Sequence, residues 1–94
     1  MFGAEWHRAR GKKYKRPGPQ YSWGGVSGIL RHDADGTWRV YNPSRPDVYW
    51  TLVHIKNPLP LGRFRGKMAT VEGWVTPYEW NYPNFNIIPL IVTK

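Results

Sequence analysis

The chain contains no cysteine, and this absence excludes several kinds of site. A disulfide, a cysteine-ligated zinc ion and a thiol nucleophile all require a cysteine side chain. Acidic residues are also scarce, since six Asp and Glu stand against 14 Lys and Arg, which gives a net charge of +8. A protein with this positive excess attracts polyanions, among which nucleic acid is a common partner of small basic domains.

Long apolar runs are absent as well. The apolar stretches are only a few residues long, whereas a membrane-spanning helix needs about 20 apolar residues. The N-terminus lacks the charged, apolar and small-residue regions of a secretory signal. These features predict a cytoplasmic protein that does not bind a membrane. A length of 94 residues predicts one domain with a core of modest size.

Patterns that support catalysis are missing too. The three histidines are scattered along the chain, with neither H-x-x-x-H nor H-E-x-x-H spacing. No serine lies in a nucleophile-elbow context, and no phosphate-binding glycine loop is complete. The sequence therefore predicts a protein that is not an enzyme and that holds neither a cofactor nor a metal.

Basic charge is concentrated at the N-terminus. Residues 1–16 contain six Lys and Arg against one Glu, and Pro17, Gly18 and Pro19 then interrupt regular structure. We predict that residues 1–20 form a flexible basic arm and that residues 21–94 form the folded domain. The arm is either a solvated tail or a phosphate-contacting segment, because blocks of basic charge often bind nucleic acid.

From residue 21 onward the pattern is typical of β-strands. No stretch repeats apolar residues at helical spacing over three turns, and nine Pro and ten Gly interrupt long helices. The predicted strands cover residues 23–31, 37–41, 48–55, 68–76 and 87–92. We expect an irregular connector at 56–67 with one short helical turn, and a bend in the glycine-rich first strand. Pro89 indicates an edge or a bulge in the last strand.

Five short strands bury most surface when their sheet closes on itself. We therefore predict an all-β fold, namely a small five-stranded OB-fold barrel, with an SH3-like barrel as the alternative. The long connector between strands three and four favours the OB-fold, which places its capping helix there. SH3-like barrels usually join these two strands more tightly.

Two stretches resemble the OB-fold domains of bacterial single-stranded DNA-binding proteins. Residues 66–75 (GKMATVEGWV) are similar to the fourth strand of that family, and residues 26–30 (VSGIL) are similar to its V-x-G-x-L first strand. The resemblance implies binding of single-stranded DNA. The family's long hairpin between strands two and three is reduced here to residues 42–47. The family's acidic C-terminal tail has no counterpart at residues 92–94.

Basic and aromatic residues are interleaved in this sequence, as in residues 13–15 (KYK) and 63–65 (RFR). Basic side chains follow a phosphate backbone, and aromatic rings stack on unpaired bases. An OB-fold binds on strands two and three and on the adjoining loops. We predict non-enzymatic binding of single-stranded nucleic acid, DNA rather than RNA, with low sequence specificity. The predicted binding residues are Lys12, Lys13, Lys15, Arg16, Arg39, Tyr41, Trp50, His54, Arg63, Arg65, Trp74, Tyr78, Trp80 and Tyr82.

Strand alternation assigns several of these side chains to the outer face of the barrel. The residues predicted to point outward are Arg39, Tyr41, Trp50, His54 and Trp74. The residues predicted to point inward are Trp38, Val40, Val53, Ile55, Ala69, Val71 and Val75. Because Val53 and Ile55 are assigned to the inner face, Trp50 falls on the opposite face of the same strand and is expected to be exposed.

The same residues support a second hypothesis. Interfaces between proteins are enriched in Tyr, Trp and Arg, as this sequence is. The alternative prediction is therefore a protein-interaction or assembly module of a nucleoprotein or other complex. In that case the exposed rings contact a protein partner or a second copy of the chain.

Overall fold

A computed structural model describes residues 12–55, 59–76 and 84–94. The elements are β1 (Ser22–His32), β2 (Trp38–Asn42), β3 (Arg45–Leu52), α1 (Leu61–Phe64), β4 (Met68–Val75) and β5 (Phe85–Thr93). The predicted all-β class and the helical turn in the connector are confirmed. Within the described ranges, no helix has the length and apolar character needed to cross a membrane.

The five strands close into a barrel in the order β1-β2-β3-β5-β4. β3 and β5 run parallel, and the other neighbouring pairs are antiparallel. Closure removes the free edges through which open sheets aggregate. The closed five-stranded sheet expected from the sequence is thus confirmed.

β1 pairs with two neighbours in succession. Residues 22–29 pair with β4, and residues 29–32 pair with β2. The change of partner occurs beside Gly28, where an added Cβ would lie 2.2 Å from the carbonyl oxygen of Tyr41. Because only glycine tolerates such a close approach of two backbones, this residue allows β1 to bend from one partner to the other.

The barrel interior is filled by alternate residues of each strand. Leu30, Val40, Leu52, Val71 and Ile87 are buried there, one from each strand. Leu61 of α1 is buried against the same cluster, so the short helix covers part of the core. Each such aliphatic side chain stabilises the fold by about 1.5–3 kcal/mol. The inward assignments of Trp38, Val40, Ala69, Val71 and Val75 are confirmed.

A bulge interrupts the pairing of β4 with β5. Glu72 pairs with Ile91 but Gly73 pairs with Pro89, which leaves one extra residue on β5 between them. Proline lacks an N–H for the ladder, and a bulge is one of the places where a sheet accepts it. Any Cβ at Gly73 would lie 1.8 Å from the carbonyl oxygen of Ile88. The predicted irregularity at Pro89 is confirmed as this bulge.

The hairpin between β2 and β3 is tighter than the sequence predicts. A loop is expected over residues 42–47, but Asn42 pairs with Arg45, so Pro43 and Ser44 alone form the turn. The Asn42 carbonyl Oδ1 accepts a hydrogen bond from the Ser44 N–H at 2.8 Å, a local bond that asparagine makes readily in turns. β3 therefore begins at Arg45 and ends at Leu52.

Candidate nucleic-acid interface

The outer face of β1, β2 and β3 carries two tyrosines and two arginines in adjacent rows. Cross-strand pairing sets Arg31 opposite Arg39, and Tyr41 opposite Tyr49. The two tyrosine ring centroids lie 5.3 Å apart. The guanidinium carbon of Arg31 lies 4.9 Å from the Tyr41 centroid, and that of Arg39 lies 5.5 Å from the Tyr49 centroid. We call these four residues the tyrosine–arginine face.

Two carboxylates from the β1–β2 turn reach this face. Asp33 Oδ2 accepts a hydrogen bond from Arg39 Nη1 at 2.8 Å, and Asp33 Oδ1 lies 3.7 Å from Arg31 Nε. Asp35 Oδ2 accepts a bond from Arg39 Nη2 at 3.1 Å. Like charges opposite each other on neighbouring strands are destabilising. The carboxylate of Asp33 offsets this repulsion because it lies beside both arginines.

The hydrogen bonds of the face keep its charged groups ionised. The Tyr41 hydroxyl and then Arg39 donate to Asp33 and lower the pKa of its carboxyl group. The Arg39 guanidinium and then the Thr37 N–H lower the pKa of Asp35 to about 2. Burial, and then its bond to Asp33, raise the pKa of Tyr41. Both carboxylates are therefore charged at neutral pH, and they balance the charges of the two arginines.

The outward positions predicted for Arg39 and Tyr41 are confirmed, but the prediction for Trp50 is wrong. Only 7% of Trp50 is exposed, and its ring lies in the core 5.1 Å from the ring of Phe85. The error comes from taking Val53 and Ile55 as inward strand residues, whereas β3 ends before them and Ile55 is exposed.

The correct alternation on β3 places Tyr49 on the outer face. Tyr49 is not among the binding residues predicted from the sequence. Arg31 was missed for a different reason, because the expected binding face did not include the first strand. His54 is exposed but follows β3 with a positive φ of 51°, outside the cross-strand rows. Arg39, Tyr41 and Tyr49 lie on the same side of the hairpin, because residues two apart on a strand and residues paired across strands share one face of the sheet. This pattern could have predicted the face from the sequence.

The predicted exposure of Trp74 is also wrong. Trp74 lies on the outer side of β4 and outside the core cluster, yet only 7% of it is exposed. It pairs across the strands with Trp23, whose ring meets it edge-on at 5.1 Å. The ring of Tyr14 in turn stacks on Trp23 at 5.4 Å, with the two planes 9° apart. We call these three residues the Tyr14 stack.

Part of the predicted basic arm contacts the barrel through the Tyr14 stack. Residues 1–11 of that arm lie outside the described residues. In residues 12–20, however, Tyr14 contacts the barrel, and the flanking cations Lys12, Lys13, Lys15 and Arg16 are all exposed. Four exposed cations therefore lie within two residues of a ring that contacts β1.

A second group of cations lies in α1 and just after it. Arg63, Arg65 and Lys67 are exposed. Backbone bonds tie this segment to β1, since Gly66 N–H donates to the Leu30 carbonyl at 2.7 Å and the Leu30 N–H donates to the Lys67 carbonyl at 3.0 Å. The predicted residues Arg63 and Arg65 therefore lie beside the end of β1 that also carries Arg31.

The remaining predicted aromatic residues cannot be assigned to either surface. Tyr78, Trp80 and Tyr82 lie outside the described residues. Asn84, which follows them, accepts a hydrogen bond from the Tyr49 N–H at 2.8 Å through its side-chain oxygen. This contact joins the start of β5 to the strand that carries the tyrosine–arginine face.

Other site chemistry has little support in the part of the chain that the structure describes. There, no group of three His, Asp or Glu side chains is arranged to hold a metal ion. A shallow cavity of about 190 Å³ opens where β1 separates from the β2–β3 hairpin, and Val26, Asn42 and Tyr49 contribute to its lining. It adjoins the tyrosine–arginine face but contains no cluster of titratable groups.

Comparisons with protein-family models, with curated proteins and with solved structures found no match to this chain. The resemblance to single-stranded DNA-binding proteins therefore remains a prediction from two short stretches of sequence.

Proposed function

We propose that the chain is a non-enzymatic, OB-like module that binds single-stranded nucleic acid, DNA in preference to RNA, with low sequence specificity. The strand order β1-β2-β3-β5-β4 supports an OB-like arrangement. The position of α1 between β3 and β4 favours it over an SH3-like barrel. OB-folds bind oligonucleotides on the face of strands two and three.

The observation that carries this proposal is the pair of adjacent tyrosine rings on that face. Tyr41 and Tyr49 lie on β2 and β3, are both partly exposed, and have centroids 5.3 Å apart. Aromatic rings on a strand surface accept bases of any sequence by stacking, with about 1–3 kcal/mol for each base. The exposed cations beside Tyr14, and those in and just after α1, supply charge for the phosphates.

The proposal is tested with a labelled single-stranded oligonucleotide and two variants of one residue. Tyr49→Ala removes the ring and should weaken binding by about 5- to 150-fold, if that ring stacks on one base. Tyr49→Phe is the matched control, because it keeps the ring and removes only the hydroxyl. Fluorescence anisotropy gives both affinities. Absence of wild-type binding, or equal affinities for the two variants, would contradict the proposal.

The neutral charge of the same face favours a second candidate function, a protein interface. Tyr and Arg are enriched at the centres of such interfaces, where other charged residues are depleted. In this case Tyr49→Ala changes self-association or capture of a protein partner and leaves oligonucleotide binding unchanged. Size-exclusion chromatography with and without oligonucleotide separates the two candidates.

A further inference from the structure

The turn between β1 and β2 makes the tyrosine–arginine face electrically neutral. Asp33 contacts Arg39 at 2.8 Å and Arg31 at 3.7 Å, and Asp35 contacts Arg39 at 3.1 Å. These four side chains carry two positive and two negative charges, in a protein whose net charge is +8. Within this group of side chains the positive charges are therefore balanced, although the protein as a whole is strongly basic.

The carboxylates are held in position by the turn itself. The Thr37 N–H donates to Asp35 Oδ1 at 3.0 Å. The backbone of Asp33 closes the turn with bonds of 2.9 Å to Thr37 and Gly36. The side chains of Asp33 and Arg39 are 16% and 20% exposed, so salt screens their attraction less than that of a fully exposed pair. A phosphate approaching Arg39 must displace a partner that the fold holds in place.

Single strands and duplexes offer different groups to such a face. The bases of a duplex are paired and stacked inside, so a protein surface that does not enter a groove meets phosphates and sugars. A single strand exposes the faces of its bases, which stack on aromatic rings. In a complex with a duplex, phosphates would lie against the face. In a complex with a single strand, bases would lie against it.

We propose that Asp33 and Asp35 are specificity-determining residues, which select single strands over duplexes by keeping Arg31 and Arg39 from phosphates. The inference rests on the proposed function, because it assigns a role within the same binding face. The carboxylates compete with the nucleic-acid backbone for the two guanidinium groups, which also lie against the tyrosine rings. Specific binding sites often combine attraction to one ligand with a penalty against another.

Asp35→Asn tests this role with little change in shape. The amide oxygen still accepts the Thr37 hydrogen bond, while the negative charge beside Arg39 is removed. Asp47→Asn is the matched control. It raises the net charge by the same amount, but its partner is Arg45, at 3.6 Å on the exposed hairpin end of β3.

The affinities of both variants are measured for a single strand and a duplex of equal length. One additional phosphate contact makes duplex affinity fall about threefold more between about 50 and 200 mM salt. We expect this additional fall for Asp35→Asn relative to Asp47→Asn, together with tighter duplex binding at the lower salt concentration. We expect the single-strand affinities of the two variants to agree.

Three outcomes decide between the inference and the proposed function. Equal duplex affinities for the two variants overturn the inference, since the position of the carboxylate then has no effect. An equal gain for single strand and duplex also overturns it, because selection is then absent. Failure of the wild type to bind a single strand contradicts the proposed function instead. The duplex affinities of the two variants then still show whether the position of the carboxylate affects phosphate contact.

Discussion

The tyrosine–arginine face and the Tyr14 stack both combine aromatic rings with basic residues, but they do so in different ways. On the face, the rings of Tyr41 and Tyr49 are partly exposed, and carboxylates balance the cations beside them. In the stack, the rings cover one another, and the cations around Tyr14 are exposed. Tyr14, the outer ring of the stack, is itself 36% exposed, so the two surfaces differ in whether their cations are paired and in the burial of Trp74.

The difference between the two surfaces is tested by truncating one ring from each and measuring the free energy of unfolding. Trp74→Ala removes a buried ring and should cost about 3–5 kcal/mol. Tyr49→Ala removes a partly exposed ring and should cost about 1 kcal/mol, the usual value for a point substitution. Urea denaturation followed by far-ultraviolet circular dichroism gives both values. Equal costs would mean that the stack is not a structural cluster.

Trp74→Phe is the control for the first substitution. Within the described part of the chain, the buried indole N–H groups of Trp23 and Trp74 have no hydrogen-bond acceptor. Phenylalanine keeps an aromatic ring and removes one such unpaired donor, which is costly to bury. We therefore expect a cost of about 1.5 kcal/mol or less, within the range of tolerated core replacements. A cost equal to that of alanine would indicate that the N–H has a partner.

The second prediction concerns charge near the stack. Replacing Lys12, Lys13, Lys15 and Arg16 with Gln removes the exposed cations of that segment. If they contact phosphates, the slope of log affinity against log salt falls by about 0.7 for each charge, so wild-type binding loses about 50-fold more affinity than the variant between about 50 and 200 mM salt. The single substitutions Lys13→Gln and Lys94→Gln form a charge-matched pair. Equal slopes for that pair would show that only net charge matters.

Much of the fold could be predicted because the relevant signals are local. The alternation of small apolar residues with larger ones on β4 assigned Ala69, Val71 and Val75 to the core correctly. Pro89 predicted its bulge, because a missing N–H has few acceptable places in a sheet. Each of these signals depends on one strand and its immediate backbone chemistry.

The site was harder to predict because it depends on how strands meet. The inward position of Trp50 depends on where β3 ends, and β-branched residues continue past that end. The burial of Trp74 depends on Trp23 of another strand, about 50 residues earlier in the chain, on which Tyr14 stacks in turn. Asp33 and Asp35 lie in a segment whose sequence is that of an ordinary turn. Only the pairing of β1 with β2 brings them to Arg31 and Arg39.

The smallest expected effect is the response of the tyrosine–arginine face to acid. Hydrogen bonds from Tyr41 and Arg39 lower the pKa of Asp33, and those from Arg39 and Thr37 lower that of Asp35 to about 2, from 3.8. A carboxylate whose pKa is lower in the folded state stabilises the fold above its unfolded pKa. That contribution is lost as the pH falls from 3.8 toward 2.

The melting temperature of the wild type should therefore decrease over this acid range, and that of Asp35→Asn should decrease less. The difference should be small and should shrink in high salt, since Asp35 is exposed. Asp47→Asn, which removes a carboxylate from a pair exposed on both sides, should follow the wild-type profile. Thermal unfolding between about pH 5 and pH 2 measures all three. Identical profiles for Asp35→Asn and the wild type would show that Arg39 does not hold Asp35 in solution. Only one of the two carboxylates, Asp33, would then be paired with the arginines of the face.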